Sequence, residues 1–471
     1  MRLRFVLSLG LAALLAAPAA ADTIVLKNGR RIHARNVQET EDRVYYEIPA
    51  GRISLPKSIV ERIERDGSGP DWTSRERARA SELPVADLPA LNDADVQRVV
   101  EGGEVNRSLL AELEREATTT GTEQARRRAA AAHALVARLE ASRGNADRAA
   151  RSLRRALSFE PNHPALLLNL AAVELERQRY TAALEALQPV LGHDQYAFEA
   201  FRLQGWVYYQ REELDRALRA WRQALSLRPD PQLEAAVARV EREAQASEDL
   251  ESRASGRFLL RYEQERLASP RLAASLLRAL DRMYDRLASA FHLVPREPIV
   301  VLLYPDQTFY ELTGMPPQVH GLYDGKVRLP VQGMTALTPQ LEQVLEHELV
   351  HAFVYFKSRG RAPHWLQEGL AQYYAGQRPP LSPESFRPLF EPRDGTALAR
   401  IEAAFLDLRQ SSAAYAASWF VVDTLMRRYA RGDMERLLEA LGRGGSVPQA
   451  LQSAYRLSLV DLDRRLYDAL R

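Results

Sequence analysis

Apolar and polar positions change period along the chain, and each change marks a different kind of element. Residues 23–26, 31–37, 43–48 and 52–55 are short β-prone runs, and Asn28-Gly29 separates the first two. Asn-Gly supplies the positive φ that both central positions of a tight hairpin turn require, so a small β module is expected over 22–65. The stretch 66–95, with Asp66-Gly67-Ser68-Gly69-Pro70 at its start and more prolines further on, reads as a linker. From about Asp93 the period becomes helical, and small residues recur every 34 positions: Ala137, Ala171 and Gly205 in one set, Ala149, Ala183 and Ala217 in another. Small side chains at those places let two antiparallel helices approach closely. Three such units over about 130–231, followed by a polar helix over 231–247, predict a short solenoid with a capping helix within 96–248.

The second half reads differently. Residues 257–264 predict a strand, 270–292 an amphipathic helix, 298–304 a buried strand and 306–312 a short helix. The segment 321–331 predicts strand, turn and edge strand, because Pro330 cannot donate to a central ladder. Residues 341–356 form a helix that is apolar nearly all round from Leu349 onward, the pattern of a buried helix. A further helix follows over 363–374, and the chain is helical from there to its end, with an aromatic-rich helix beginning near Tyr415. The expected class is an α+β multidomain chain, its last domain spanning 255–471.

Length and composition narrow the setting. At 471 residues there is room for about two to four domains. Arg2 and Arg4, an apolar run over 5–17 and Ala19-Ala20-Ala21 predict a secretory signal peptide cut after Ala21, hence a periplasmic or secreted protein. No other segment is apolar enough to span a membrane, so no span is expected in the mature chain. The chain has no cysteine, which leaves any metal to His and carboxylate ligands. The formal net charge of +2 falls to 2 − 2 = 0 without the two leader arginines, a balance that gives no footing for nucleic acid.

The buried helix carries chemistry that its surroundings make costly. It contains His347-Glu348-Leu349-Val350-His351, and two histidines four apart on a helix can aim ring nitrogens at a single ion. Glu348 lies beside them, placed to hold a water. Buried without a partner, such a group would be expensive. The following helix supplies Glu368 as the natural third ligand of a Zn2+ site, in keeping with zinc's preference for imidazole and carboxylate in a shell that leaves one position open. His364, four residues before Glu368 on the same face, is either an outer partner or a competing ligand.

Two resemblances follow from these residues. His347 to His351 together with Trp365-Leu366-Gln367-Glu368-Gly369-Leu370-Ala371 resembles the gluzincin metallopeptidases, most closely their peptidase-MA-like branch. The resemblance implies zinc on His347, His351 and Glu368, and Glu348 as general base. It also implies an oxyanion donor, for which Tyr415 fits by position and His320, Tyr373 and Tyr374 are rivals. Sixteen residues separate His351 from Glu368, slightly fewer than in the best-known members, which leaves the length of the turn at 358–362 in question. In that family the strand before the zinc helix pairs with an extended substrate; residues 327–331 are the candidate here, with 321–323 as the alternative. The 34-residue period resembles the tetratricopeptide repeat, although Glu140 and Glu174 stand where an aromatic residue such as Tyr208 is usual and Gln195 replaces a proline.

The expected function is zinc-dependent hydrolysis of peptide bonds in a polypeptide substrate. The repeats either offer a surface to a protein partner or pack on the neighbouring domain as scaffold. The alternative is an envelope scaffold or binding protein, built on the repeats, whose zinc domain is structural or inactive. Residues 22–65 carry no readable function beyond docking or packing. His33, His133, His163, His193 and His292 show no ligand spacing among themselves.

Overall fold

The computed structural model describes residues 21–26, 31–40, 43–48, 51–57, 60–69, 93–248, 250–263, 270–315, 319–331, 336–405 and 410–470. The expected signal peptide up to Ala20 and the Asn28-Gly29 turn fall outside these residues, as does most of the expected linker.

The β module is a five-stranded antiparallel sheet of β1 (Ala21–Leu26), β2 (Arg31–Glu39), β3 (Arg43–Ile48), β4 (Gly51–Pro56) and β5 (Val60–Gly69), in the order β4-β3-β2-β1-β5. Asp66 to Gly69, expected to begin a linker, instead end β5, where Ser68 and Gly69 pair with Ala21. The glycines mark an irregular register against β1, so turn-forming composition here signals a bulge within a strand.

Asp93 caps the first helix of the next region by accepting from Asp95 and Val96 N–H groups. That region runs α1 (Ala94–Gln97), a hairpin of β6 (Val100–Glu101) and β7 (Glu104–Val105), α2 (Arg107–Thr120), and three helix pairs: α3 (Glu123–Ser142) with α4 (Ala146–Phe159), α5 (Pro164–Glu176) with α6 (Tyr180–Leu187), and α7 (Ala197–Gln210) with α8 (Leu214–Leu227). α9 (Pro231–Ala246) follows. The small residues read from the sequence lie at the helix crossings: Ala137, Ala149, Ala171, Ala183 and Ala217 are buried, and a Cβ at Gly205 would strike the Trp221 ring at 2.2–2.7 Å. The turn inside each pair repeats its backbone. Gly144, Gln178 and Glu212, spaced by 34, all have positive φ, and the next residue's N–H bonds back to Glu140, Glu174 or Tyr208 in turn. Glu174, standing where an aromatic is usual, is buried and ion-paired to Arg154 at 2.5 Å and Arg177 at 2.8 Å.

The C-terminal region begins five residues earlier than expected, with β8 (Leu250–Ala254), followed by β9 (Phe258–Glu263), α10 (Pro270–Phe291), β10 (Ile299–Tyr304), α11 (Asp306–Thr313), β11 (Leu322–Tyr323) and β12 (Val327–Pro330). Their sheet runs β11-β12-β10-β9-β8, with β9, β10 and β12 parallel and both outer strands antiparallel to their neighbours. β10 is buried on both faces: Ile299, Val301 and Leu303 meet the helical core, while Val300, Leu302 and Tyr304 meet a second cluster with Phe309 and Met315. The expected edge strand over 327–331 is therefore interior, and β11 is the edge. Pro330 is tolerated because two-residue β11 pairs only with Val327 and Arg328 and ends before reaching it. α12 (Pro339–Ser358) and α13 (His364–Tyr374) follow, then α14 (Pro383–Phe386), α15 (Ala397–Ala404), α16 (Ser411–Arg428), α17 (Arg431–Gly442), α18 (Val447–Tyr455) and α19 (Leu459–Ala469). Among the described residues, no helix is long and apolar enough to cross a membrane.

The repeats lie on this region through their three turns. Gly144 and Asp147 take Arg359, the latter at 2.9 Å. Gln178 and Tyr180 share a crevice with residues 297–300, Tyr323 and Phe356. Glu212 pairs with Lys326 and, at 3.2 Å, with Arg261. Around Lys326 the contact is a buried charge cluster: Glu243 lies 3.0 Å from Lys326 and 2.8 Å from Arg328, and Arg328 also reaches Asp324 at 3.0 Å and Tyr304 Oη at 3.2 Å.

Candidate metal centre

α12 is fixed at its start by Thr338, whose hydroxyl accepts from Leu341 N–H, and by Pro339 in the first turn. It ends where Arg359 and Gly360 take positive φ, and the chain turns directly into α13. α13 lacks a cap from its own Pro363; Glu402 of α15 supplies one, accepting from His364 and Trp365 N–H at 3.1 Å each. The result sets the two helices side by side with their polar residues converging. His347 Nε2 lies 3.5 Å and His351 Nε2 3.6 Å from the two oxygens of Glu368. The ligand-type atoms of His347, His351 and Glu368 all fall within 4.8 Å of one another.

Supporting contacts hold each member in place. His347 Nδ1 is 2.7 Å from Gln377 Oε1, which leaves Nε2 for the cluster. Gln377 is placed by the end of α13: Gly376 has positive φ, its N–H bonds to Tyr373 O, and Gln377 N–H bonds to Gln372 O, the paired bonds of a Schellman motif. Gly369 allows α16 to approach, since a Cβ there would stand 2.4 Å from Ser418 O. α16 in turn carries Tyr415. Gly321, just before edge strand β11, faces the carboxylate of Glu348; a Cβ at Gly321 would lie 2.5 Å from Glu348 Oε1. Gln377 and Glu402 support this cluster and are not singled out by the sequence; Gly369 lies within the segment 365–371 and Gly321 within the alternative strand 321–323, without these packing roles assigned. Only the glycines left a signal, in their placement beside Glu368 and ahead of a strand.

Electrostatics follow from two carboxylates sharing a buried space. Burial pushes Glu348 up to about 7, with the charge of Glu368 adding to the effect and His347 opposing it. Burial works against a charged His347, yet its hydrogen bond to Glu368 and that carboxylate's charge hold it up at about 9. Burial takes His351 down to about 4, so its ring is neutral. Glu368 is held well below the ordinary carboxylate range: burial opposes this, but His351, His347 and His364 overcome it. The cluster thus draws a proton onto His347; with zinc in place of that proton, two neutral imidazoles and one carboxylate would form the donor set that zinc favours. The residues present fit that ion.

Tyr415 is half-buried near this cluster; the charge of Glu368, then burial, raise its hydroxyl above the ordinary tyrosine range, so it remains a donor. Its ring packs edge-on to Phe405 at 5.0 Å. Of the rivals, Tyr373 and Tyr374 pack on each other and Tyr374 on Phe291, while His320 is exposed beside Gly321. His364 Nε2 lies 3.2 Å from Glu368 Oε1 with its ring on Phe405, an outer contact to the carboxylate from the side opposite Gln377 along α13.

Comparison with known proteins bears on the middle of the chain. Residues 140–207 match one tetratricopeptide repeat family and residues 198–231 match a second, so this part carries tetratricopeptide repeats, a module of protein–protein interaction. No curated protein matches the chain. A solved structure described as a MamA RS-1 ArsTM double mutant is similar at 22% identity over 34% of this chain and 86% of that one, with a TM-score of 0.26.

Proposed function

We propose that the C-terminal region is a zinc-dependent peptidase domain of gluzincin type, acting on a polypeptide outside the cytoplasm. The observation that carries this reading is the convergence of His347, His351 and Glu368 within 4.8 Å, with Glu348 immediately beside them. His347, His351 and Glu368 would hold the metal, and zinc bound there supplies a Lewis acid for a carbonyl and for a water.

The chain's own residues do the rest. Glu348, poised near neutrality by burial, takes a proton from water and returns it to the departing amine. Tyr415, kept protonated, donates a hydrogen bond where negative charge develops on the carbonyl oxygen. Gln377 fixes the ring of His347, so that ligand needs no reorientation. Among the described residues β11 is the outer strand of its sheet, and Gly321 just before it lets that backbone come close to the Glu348 carboxylate, where an extended chain could add by strand pairing. The repeats add a surface for a protein partner.

Glu348→Gln tests the reading. The variant should keep zinc at one equivalent by elemental analysis while cleavage of unfolded proteins falls by at least about a thousandfold, since proton transfer and water activation fail together. Equal cleavage by variant and parent would overturn the mechanism. Stoichiometric zinc in a parent that hydrolyses no peptide would favour a repeat-based scaffold with a structural zinc domain.

A further inference from the structure

The loop that supports His347 also presents a cation that pairs with no carboxylate among the described residues. Arg378 follows Gln377, whose Oε1 is 2.7 Å from His347 Nδ1, so its backbone is tied to the candidate metal centre by one residue. The Schellman turn fixes that backbone from the α13 side, and Pro379-Pro380 stiffen it on the other. The Arg378 guanidinium sits 5.4 Å from the centre of the Trp419 ring. It is exposed, and among the described residues no carboxylate pairs with it. Arg177, Arg328 and Arg359, by contrast, each pair with a carboxylate.

Trp419 ties the same point to the centre from a second direction. It lies four residues after Tyr415 on α16, hence on the same face and about 6 Å further along the axis. An extended peptide advances about 3.3 Å per residue, so a group at this shelf would belong to a residue about two positions from the bond beside Glu348. An arginine stacked on an aromatic ring presents its fork of N–H donors edge-on, the geometry that a carboxylate accepts with two hydrogen bonds.

We propose that Arg378 on Trp419 forms a carboxylate-binding subsite, giving the cleft a preference for substrates with a negative charge about two residues from the cleaved bond. The carboxylate comes from an Asp or Glu side chain or from the substrate's own C-terminus. This inference rests on the peptidase reading and names the substrate class of the same site.

The test measures binding rather than turnover, using full-length, zinc-loaded Glu348→Gln protein and fluorescent peptides of matched length. One set carries Glu at each position in turn with an amidated C-terminus, a second is neutral with a free C-terminal carboxylate, and a third is neutral and amidated. The expected result is tightest binding for one charged set, about tenfold over the neutral amide. Adding Arg378→Gln should remove that tenfold and leave the neutral peptide within twofold, while Arg378→Lys keeps part of the preference. The charged set that responds identifies the source of the carboxylate. Peptide binding that is indifferent to charge, or a preference that survives Arg378→Gln, overturns the subsite and leaves the peptidase reading standing. Absence of binding by every peptide overturns both.

Discussion

Two of the buried charge clusters among the described residues are built on opposite terms. Beneath the repeats, Lys326, Arg328 and Arg261 face Glu212, Glu243 and Asp324, three cations against three anions. Burial alone would discharge Lys326, but Glu212 and Glu243 raise it above its ordinary value, and Glu243 is in turn held below the carboxylate range by Arg328 and Lys326 against its own burial. Where α12 and α13 lie side by side, by contrast, Glu348 and Glu368 have imidazoles as their cationic neighbours, and a proton is drawn onto His347. A balanced cluster needs nothing further and joins two parts of a fold. In the other, carboxylates lean on imidazoles, and that donor set is one that a cation from outside would fit.

This contrast can be broken at either end, and the largest effect is expected at the interface. Glu243→Ala leaves Lys326 and Arg328 buried with an uncompensated charge, so denaturant unfolding should show a loss of about 3–5 kcal/mol. The same residue predicts an acid response. Because folding lowers the pKa of Glu243, its contribution is complete above the unfolded value of about 4.3 and drains away as pH falls below it. Parent stability should therefore drop from about pH 5 downward, and Glu243→Gln should flatten that limb.

The metal centre should respond to zinc instead. At about a hundredfold excess over its dissociation constant, zinc should stabilise the parent by about 2.7 kcal/mol in thermal unfolding, and a chelator should reverse it. Glu368→Ala should abolish this response while Glu243→Ala retains it; zinc stabilisation in both would erase the distinction drawn above. A smaller effect is expected one step outward. Gln377→Leu releases the ring of His347 and should weaken zinc binding by about 10- to 100-fold in a competition titration. Smallest in stability is Gly321→Ala, about 1 kcal/mol, because its new methyl meets the Glu348 side chain from Cγ to Oε1 and that side chain can turn aside. Its signature would be slowed cleavage with unchanged zinc affinity.

Local chemistry was legible in the chain and remote pairing was not. The four-residue step from His347 to His351 and the all-round apolar pattern after Leu349 depend only on helix periodicity, and so do the small residues at 34-residue intervals. The place of β12 inside its sheet depends on β10 and β11, which a local reading of Pro330 does not see. Asp66 to Gly69 look like a linker until β1 is present to pair with them. Gln377 and Glu402 are ordinary polar residues in sequence. They acquire roles because one helix end faces His347 and another lacks a cap.

The three left-handed turns at Gly144, Gln178 and Glu212 have one more implication. Solenoids commonly gain or lose units, since each repeat touches only its neighbours. Here every turn has its own landing place: Arg359 for the first, the crevice beside Tyr323 for the second, Lys326 and Arg261 for the third. Inserting or deleting 34 residues would set each turn against the wrong neighbour. The number of repeats is thereby counted by the surface beneath them, and copy number, which drifts freely in most such arrays, is fixed here at three.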